Sequence, residues 1–130
     1  MKLLLDSCTF LWLIWDEPEL SHEARVRIAD PLNDVYLSSI SLWEILLKHQ
    51  AGRLALSKPV DPERYYIEQR EAHRIAPLPL SEEAVAQMVK LPPLHRDPFD
   101  RMLICQAIAH GLVVCTPDRA IQQYPVRTLW

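Results

Sequence analysis

Lys2-Leu3-Leu4-Leu5-Asp6 decides the fold: three consecutive leucines with no polar alternation, ended by a carboxylate. A strand without alternation buries both faces, the pattern of a central strand in a parallel sheet covered by helices on either side. Ser7 to Ile14 continues as a helix that ends before Pro18, and Ser21 caps a second helix running through Ala29 and stopped by Pro31. Val35–Ser38 reads as the second strand. Ser41 then opens a helix carrying Trp43, Leu46 and Leu47, which Gly52 closes from the usual glycine position.

Further along, the polar stretch from Pro59 to Arg74 reads as a peripheral helix, with Pro62 near its start and Tyr65-Tyr66 inside it. Ile75–Leu80 contains two prolines and fits only an edge strand or an extended loop. Ser81–Val89 is a capped helix ended by Leu91-Pro92-Pro93, and Asp97-Pro98 starts the last long helix, through Ala109 with Gly111 as its cap. Leu112–Cys115 is a third strand, Asp118–Gln123 a short helix and Val126–Leu129 a final strand. This alternation predicts a three-layer α/β/α domain with a mainly parallel sheet, and 130 residues with 49% hydrophobic composition suit one domain spanning 1–130.

Composition removes several function classes. The formal charge of −3 and pI near 5.9 exclude a protein that grips nucleic acid by bulk charge. Any such contact must be local, and residues 91–130, with four Arg against three acids, are the more anion-tolerant part. The two glycines, Gly52 and Gly111, cannot build a Gly-rich phosphate cradle. Cys8, Cys105 and Cys115 lack C-x-x-C spacing and lie beside apolar residues, so buried reduced thiols in a cytoplasmic protein are expected. The scattered histidines give no zinc motif. With no signal peptide ahead of the first strand and no apolar run long enough for a membrane span, no membrane association is expected.

What remains is a set of carboxylates at strand ends and helix starts: Asp6, Glu44, Asp100 and Asp118. Singly, each suits helix capping; Ser41-Leu42-Trp43-Glu44 matches a capping box, and Asp97 an N-cap with Pro at the next position. Their facing argues for more. Asp100 shares a helical stripe with Leu103, Ile104, Ala107 and Ile108, and Glu44 a face with Ile40 and Leu47, so both acids aim at a buried edge. Ligands of open α/β sheets bind beyond the carboxyl ends of the strands. Acids gathered there need a cation to stay ionised together. An all-oxygen set selects Mg²⁺ or Mn²⁺, one ion or two, and such a site suits phosphodiester hydrolysis.

These residues resemble the PIN-domain ribonucleases, and among them the VapC-like toxins of bacterial toxin–antitoxin pairs. The resemblance runs end to end: Leu4-Leu5-Asp6-Ser7 with Phe10-Leu11-Trp12, then Ser39-Ile40-Ser41-Leu42-Trp43-Glu44-Ile45, then His95-Arg96-Asp97-Pro98-Phe99-Asp100-Arg101-Met102-Leu103, then Thr116-Pro117-Asp118. It implies a PIN-like fold and a metal-dependent endoribonuclease acting as a toxin. Asp6 and Asp100 would be the principal metal ligands, with Asp118 and Glu44 completing the pocket. Ser7 and Thr116 would orient carboxylates, and Asp97 is an additional acid that either touches metal-bound water or simply caps its helix. Cys8 stands where the family usually has His or Asn. Arg96, Arg101 and Arg119, with His95, flank the site as RNA contacts or as solvated surface. A cognate antitoxin and a second copy of the chain are the expected partners, docking on Trp12, Leu13 and Trp15 with Trp43 nearby and the Tyr65-Tyr66 helix alongside. A DNase with the same chemistry, or a PIN-like scaffold that does not cut, are the alternatives.

Overall fold

The computed structural model describes residues 1–54, 56 and 60–130. The sheet has five strands in the order β3-β2-β1-β4-β5, and every pairing is parallel. In chain order the elements are β1 (Lys2–Leu5), α1 (Ser7–Ile14), α2 (His22–Ala29), β2 (Asp34–Ser38), α3 (Ser39–Gln50), α4 (Pro62–Ala72), β3 (Ala76–Leu78), α5 (Glu82–Ala86) with a following 3₁₀ turn (Gln87–Lys90), α6 (Pro98–His110), β4 (Val113–Cys115), α7 (Arg119–Gln122) and β5 (Thr128–Leu129). The proline-bearing β3 sits on an edge, as its missing N–H donor requires. α4 begins at Pro62, where the helix start is expected, and Pro59, the first residue of the polar stretch, lies outside the described residues.

β1 is the central strand, and its three leucines explain the two helical layers. Leu3 and Leu5 enter one core with Phe10, Leu20, Ile45 and Tyr66, whereas Leu4, pointing the other way, enters a second core with Leu103, Ile104, Val114 and Ile121. All three are fully buried, and such burial contributes about 1.5–3 kcal/mol per leucine. Tyr66 is fully buried too, so α4 is anchored in the first core rather than lying loosely on the periphery.

Strand order turns around β1: β2 lies on one side and β4 on the other. That reversal opens a crevice at the carboxyl ends of β1 and β4, the place where α/β sheets bind ligands. Register puts Leu5 opposite Cys115, so Asp6 and Thr116 leave the sheet side by side. Thr9 ties the start of α1 to the same edge by donating its hydroxyl hydrogen to the Cys115 carbonyl at 2.9 Å. Gly111 ends α6 in the left-handed conformation, φ +65°, letting the chain turn directly into β4.

Candidate active site

Asp6 is 7% exposed, and both of its carboxylate oxygens are held. Oδ1 accepts from the Thr9 backbone N–H at 2.8 Å, which makes Asp6 the N-cap of α1. Oδ2 accepts from the Thr116 hydroxyl at 2.5 Å. Burial pushes its pKa above the ordinary carboxylate range and the Asp118 charge adds to this, against the hydrogen bonds from Thr116 and Thr9. Thr116 works twice, because its Oγ1 also accepts the Asp118 backbone N–H at 3.0 Å. One hydroxyl thus spaces two acids on neighbouring turns of the crevice. Thr116→Val keeps the shape and removes both bonds, and should weaken Mn²⁺ binding by about 10–100-fold, as loss of groups that orient metal ligands does; a calorimetric Mn²⁺ titration checks it.

Asp100 comes from the opposite side, in the first turn of α6, with its side chain 17% exposed. Its Oδ2 lies 2.8 Å from His95 Nε2. Its pKa is raised to about 6, chiefly by desolvation and further by the charges of Asp97, Glu44 and Asp118, against the lowering effect of the His95 bond. Asp97 caps α6, accepting from the N–H groups of Phe99 at 2.8 Å and Asp100 at 3.4 Å. Oxygens of Asp97 and Asp100 and a ring nitrogen of His95 lie within 4.8 Å of one another. Asp118, which caps α7, influences both Asp6 and Asp100. The exposed Cys8 thiol is raised by desolvation, then by Asp6, Glu44 and Asp100, with Lys48 opposing. Asp6, Glu44 and Asp118 are not part of the His95, Asp97 and Asp100 group, so of the expected metal ligands only Asp100 lies in it.

Several expectations need correction. The N-cap of α3 is Ser38, not Ser41: Ser38 Oγ accepts from the Ile40 N–H, and the helix starts three residues earlier than the capping-box reading implies. The buried side of α3 carries Ser41 and Ile45, while Trp43 and Leu47 are exposed, so Glu44 flanks the crevice instead of sharing a buried face with Leu47. Ser7 Oγ is buried without a hydrogen-bond partner among the described residues and orients no carboxylate. Cys8 is exposed rather than buried. Trp12 packs edge-on against Trp130, Trp15 donates to the Tyr65 hydroxyl at 3.0 Å, and Trp43 packs against Phe99.

Arg101 is the clearest departure from a substrate-contact role. Its Nη1 donates to the carbonyls of Pro92 and His95 and to the Tyr124 hydroxyl, at 3.2, 3.3 and 3.2 Å. The same hydroxyl accepts the backbone N–H groups of Leu94 and His95 at 3.1 and 2.8 Å. Arg101 and Tyr124 therefore clamp the loop that presents His95 to Asp100. Tyr124→Phe strands these donors and should cost about 1–3 kcal/mol in urea unfolding, the usual penalty for a lost buried acceptor. Arg96 and Arg119 are exposed.

Residues 3–126 match the family model for the PIN domain. The chain belongs to the PIN domain family. As a PIN domain it is 28% identical to Ribonuclease VapC22 of Mycobacterium tuberculosis, over 98% of either chain. Its fold is similar to VapBC2 from Rickettsia felis, crystallised with a DNA fragment from its promoter, at TM-score 0.72 and 17% identity over 100% of this chain and 99% of the other. DNA-bound VapBC from Salmonella typhimurium gives TM-score 0.68 and 22% identity over 99% and 97%. Among the described residues no helix of this PIN domain is long and apolar enough to cross a membrane. Tyr124 and the fully buried Gln106, which accepts from Ser38 at 2.5 Å and donates to the Pro79 carbonyl, had no local signal in the sequence because their partners lie 23–68 residues away.

Proposed function

We propose that this PIN domain is a Mg²⁺- or Mn²⁺-dependent endoribonuclease, acting in the cytoplasm as the toxin of a toxin–antitoxin pair. The observation that carries the reading is the Thr116 hydroxyl, which donates to Asp6 and accepts the Asp118 N–H, joining two acids distant along the chain at one sheet edge. Their donor set fits a hard divalent cation: carboxylate oxygens dominate, and Asp6 and Asp100 are both disfavoured as bare anions. A bound ion would supply charge neutralisation at the phosphoryl oxygens and a template for water and the leaving oxygen.

The chain's own residues do the rest. Asp6, Asp100 and Asp118 would hold the cation, with Glu44 at the rim and Asp97 within reach of a bound water. Thr116 keeps the Asp6 carboxylate in one rotamer, and His95 does the same for Asp100. Arg96 and Arg119, exposed beside the crevice, would meet RNA phosphates. Support for RNA as the substrate comes from the relative named a ribonuclease. The VapBC pairing of the structural neighbours supports an antitoxin partner, for which Trp12, Leu13 and Trp15 beside Tyr65 offer a partly buried apolar face; a homodimer is the expected assembly.

The test is cleavage of matched single-stranded RNA and DNA oligonucleotides with Mg²⁺, with Mn²⁺ and with EDTA. RNA should be cut only when the cation is present. DNA cut in preference to RNA would make the protein a DNase, and intact RNA under every condition would make it a binding scaffold.

A further inference from the structure

A groove of about 650 Å³ leads away from the acids, lined by Glu44, Lys48, Arg53, Arg96, Asp97 and Phe99 among others. Two of its lining residues, Glu44 and Asp97, belong to the acidic set. It also carries three cations, and none of Lys48, Arg53 or Arg96 forms an ion pair among the described residues. In a chain of net charge −3, three cations against the two acids Glu44 and Asp97 leave this groove locally positive. Beside it stands Trp43, 56% exposed and held edge-to-face against Phe99 with ring centroids 5.0 Å apart and planes at 68°. Phe99 is itself fixed, because its N–H donates to the capping oxygen of Asp97.

An indole with more than half its surface in solvent is a poor core residue. It is immobilised by one neighbour rather than covered. Trp43 directly precedes Glu44, and Phe99 directly precedes Asp100, so the aromatic pair and the acids ride on the same two helical turns. Cations for the backbone next to an aromatic surface for a base are the two parts of a single-stranded nucleic acid site.

Resting on the ribonuclease reading, we propose that this groove carries single-stranded RNA, with Trp43 as a stacking platform for a base flanking the scissile phosphate and Lys48, Arg53 and Arg96 neutralising the adjoining phosphates. Stacking accepts any base, so the platform positions the strand and leaves sequence choice to other contacts. Continuity with the acids favours RNA over an acidic peptide, since a strand laid along the groove delivers a phosphate to Glu44 and Asp97.

Binding of a fluorescein-labelled single-stranded RNA to the full chain, in EDTA and across a low-salt series, reads this without cleavage. Trp43→Ala should weaken binding about tenfold whatever the base sequence, and Trp43→Phe should recover most of it. Neither should change the slope of log K against log salt. Lys48→Gln and Arg96→Gln should each flatten that slope by about 0.7, the loss of one phosphate contact. Unaltered binding by Trp43→Ala, no recovery by Trp43→Phe, unaltered slopes, or no RNA binding by the parent at low salt would overturn the proposal. So would a Trp43→Ala effect confined to an antitoxin-derived peptide. Trp43-dependent RNA binding by a protein that never cuts RNA with Mg²⁺ or Mn²⁺ would sustain the platform and remove the ribonuclease reading; cutting that ignores Trp43→Ala would do the reverse.

Discussion

Asp6→Asn and Asp100→Asn should each lower RNA cleavage by at least about a thousandfold, because under the proposed mechanism a lost carboxylate would forfeit several kcal/mol of cation-mediated stabilisation and each 1.36 kcal/mol is a decade in rate. Both substitutions conserve volume and leave the fold intact. At position 6 an amide still accepts from the Thr9 N–H, and its NH₂ can donate to Thr116 Oγ1, whose two lone pairs also serve the Asp118 N–H. At position 100 the amide keeps a polar partner for His95 Nε2. Since burial already disfavours the charged form of each acid, the metal-free variants should melt no lower than the parent at neutral pH. The two acids act as a unit, so the double variant should lose scarcely more activity than either single one. Cleavage kinetics, with circular dichroism melts as the folding control, give the answer. Parent-like cutting by either variant removes that acid from the mechanism, and activity losses that multiply in the double variant would mean two independent sites.

How much of this was legible in the chain depended on whether the deciding contact was local. β1, α1 and α6 follow from short-range signals: three leucines for a doubly buried strand, Asp97-Pro98 for a helix start, Gly111 for its end. The gathering of Asp6 and Asp118 was legible for a related reason, since both follow strands that pair in register. The start of α3 was not. Ser38, Ser39 and Ser41 are chemically interchangeable as caps, and the choice falls to Ser38, whose hydroxyl also donates to Gln106, 68 residues away. Arg101 shows the same limit from the other direction. Its position beside Asp100 suggests a phosphate contact, yet Tyr124 and the 92–95 loop claim its guanidinium. Tyr66, adjacent to a partly buried Tyr65 in a polar helix, had no pattern to mark it for the core.

The pH dependence of metal-free stability carries a sign opposite to that of an ordinary salt-bridged carboxylate. Asp100 has its pKa raised from 3.8 to about 6, and Asp6 shifts in the same direction. Between those values the folded chain holds a proton that the unfolded chain releases, so folding stability falls as pH rises from about 4 to about 6 and levels off above. Two units amount to at most about 3 kcal/mol for Asp100, at 1.36 kcal/mol per unit. Urea unfolding in EDTA at pH 4.5, 6 and 7.5 measures this, with Asp100→Asn as the reference from which that slope is missing. A divalent cation bound as proposed would act against the loss: at 100 times its Kd it would contribute about 2.7 kcal/mol. Protons and the cation compete for the same oxygens, so Mg²⁺ or Mn²⁺ should stabilise the protein strongly at pH 7.5 and weakly at pH 5. The acids would then be poised chiefly by their burial and secondarily by repulsion, with the folded chain unfavourably charged at neutral pH until a cation enters. A parent and an Asp100→Asn variant with identical pH profiles, or a cation effect equal at both pH values, would show that these carboxylates neither strain one another nor share a ligand.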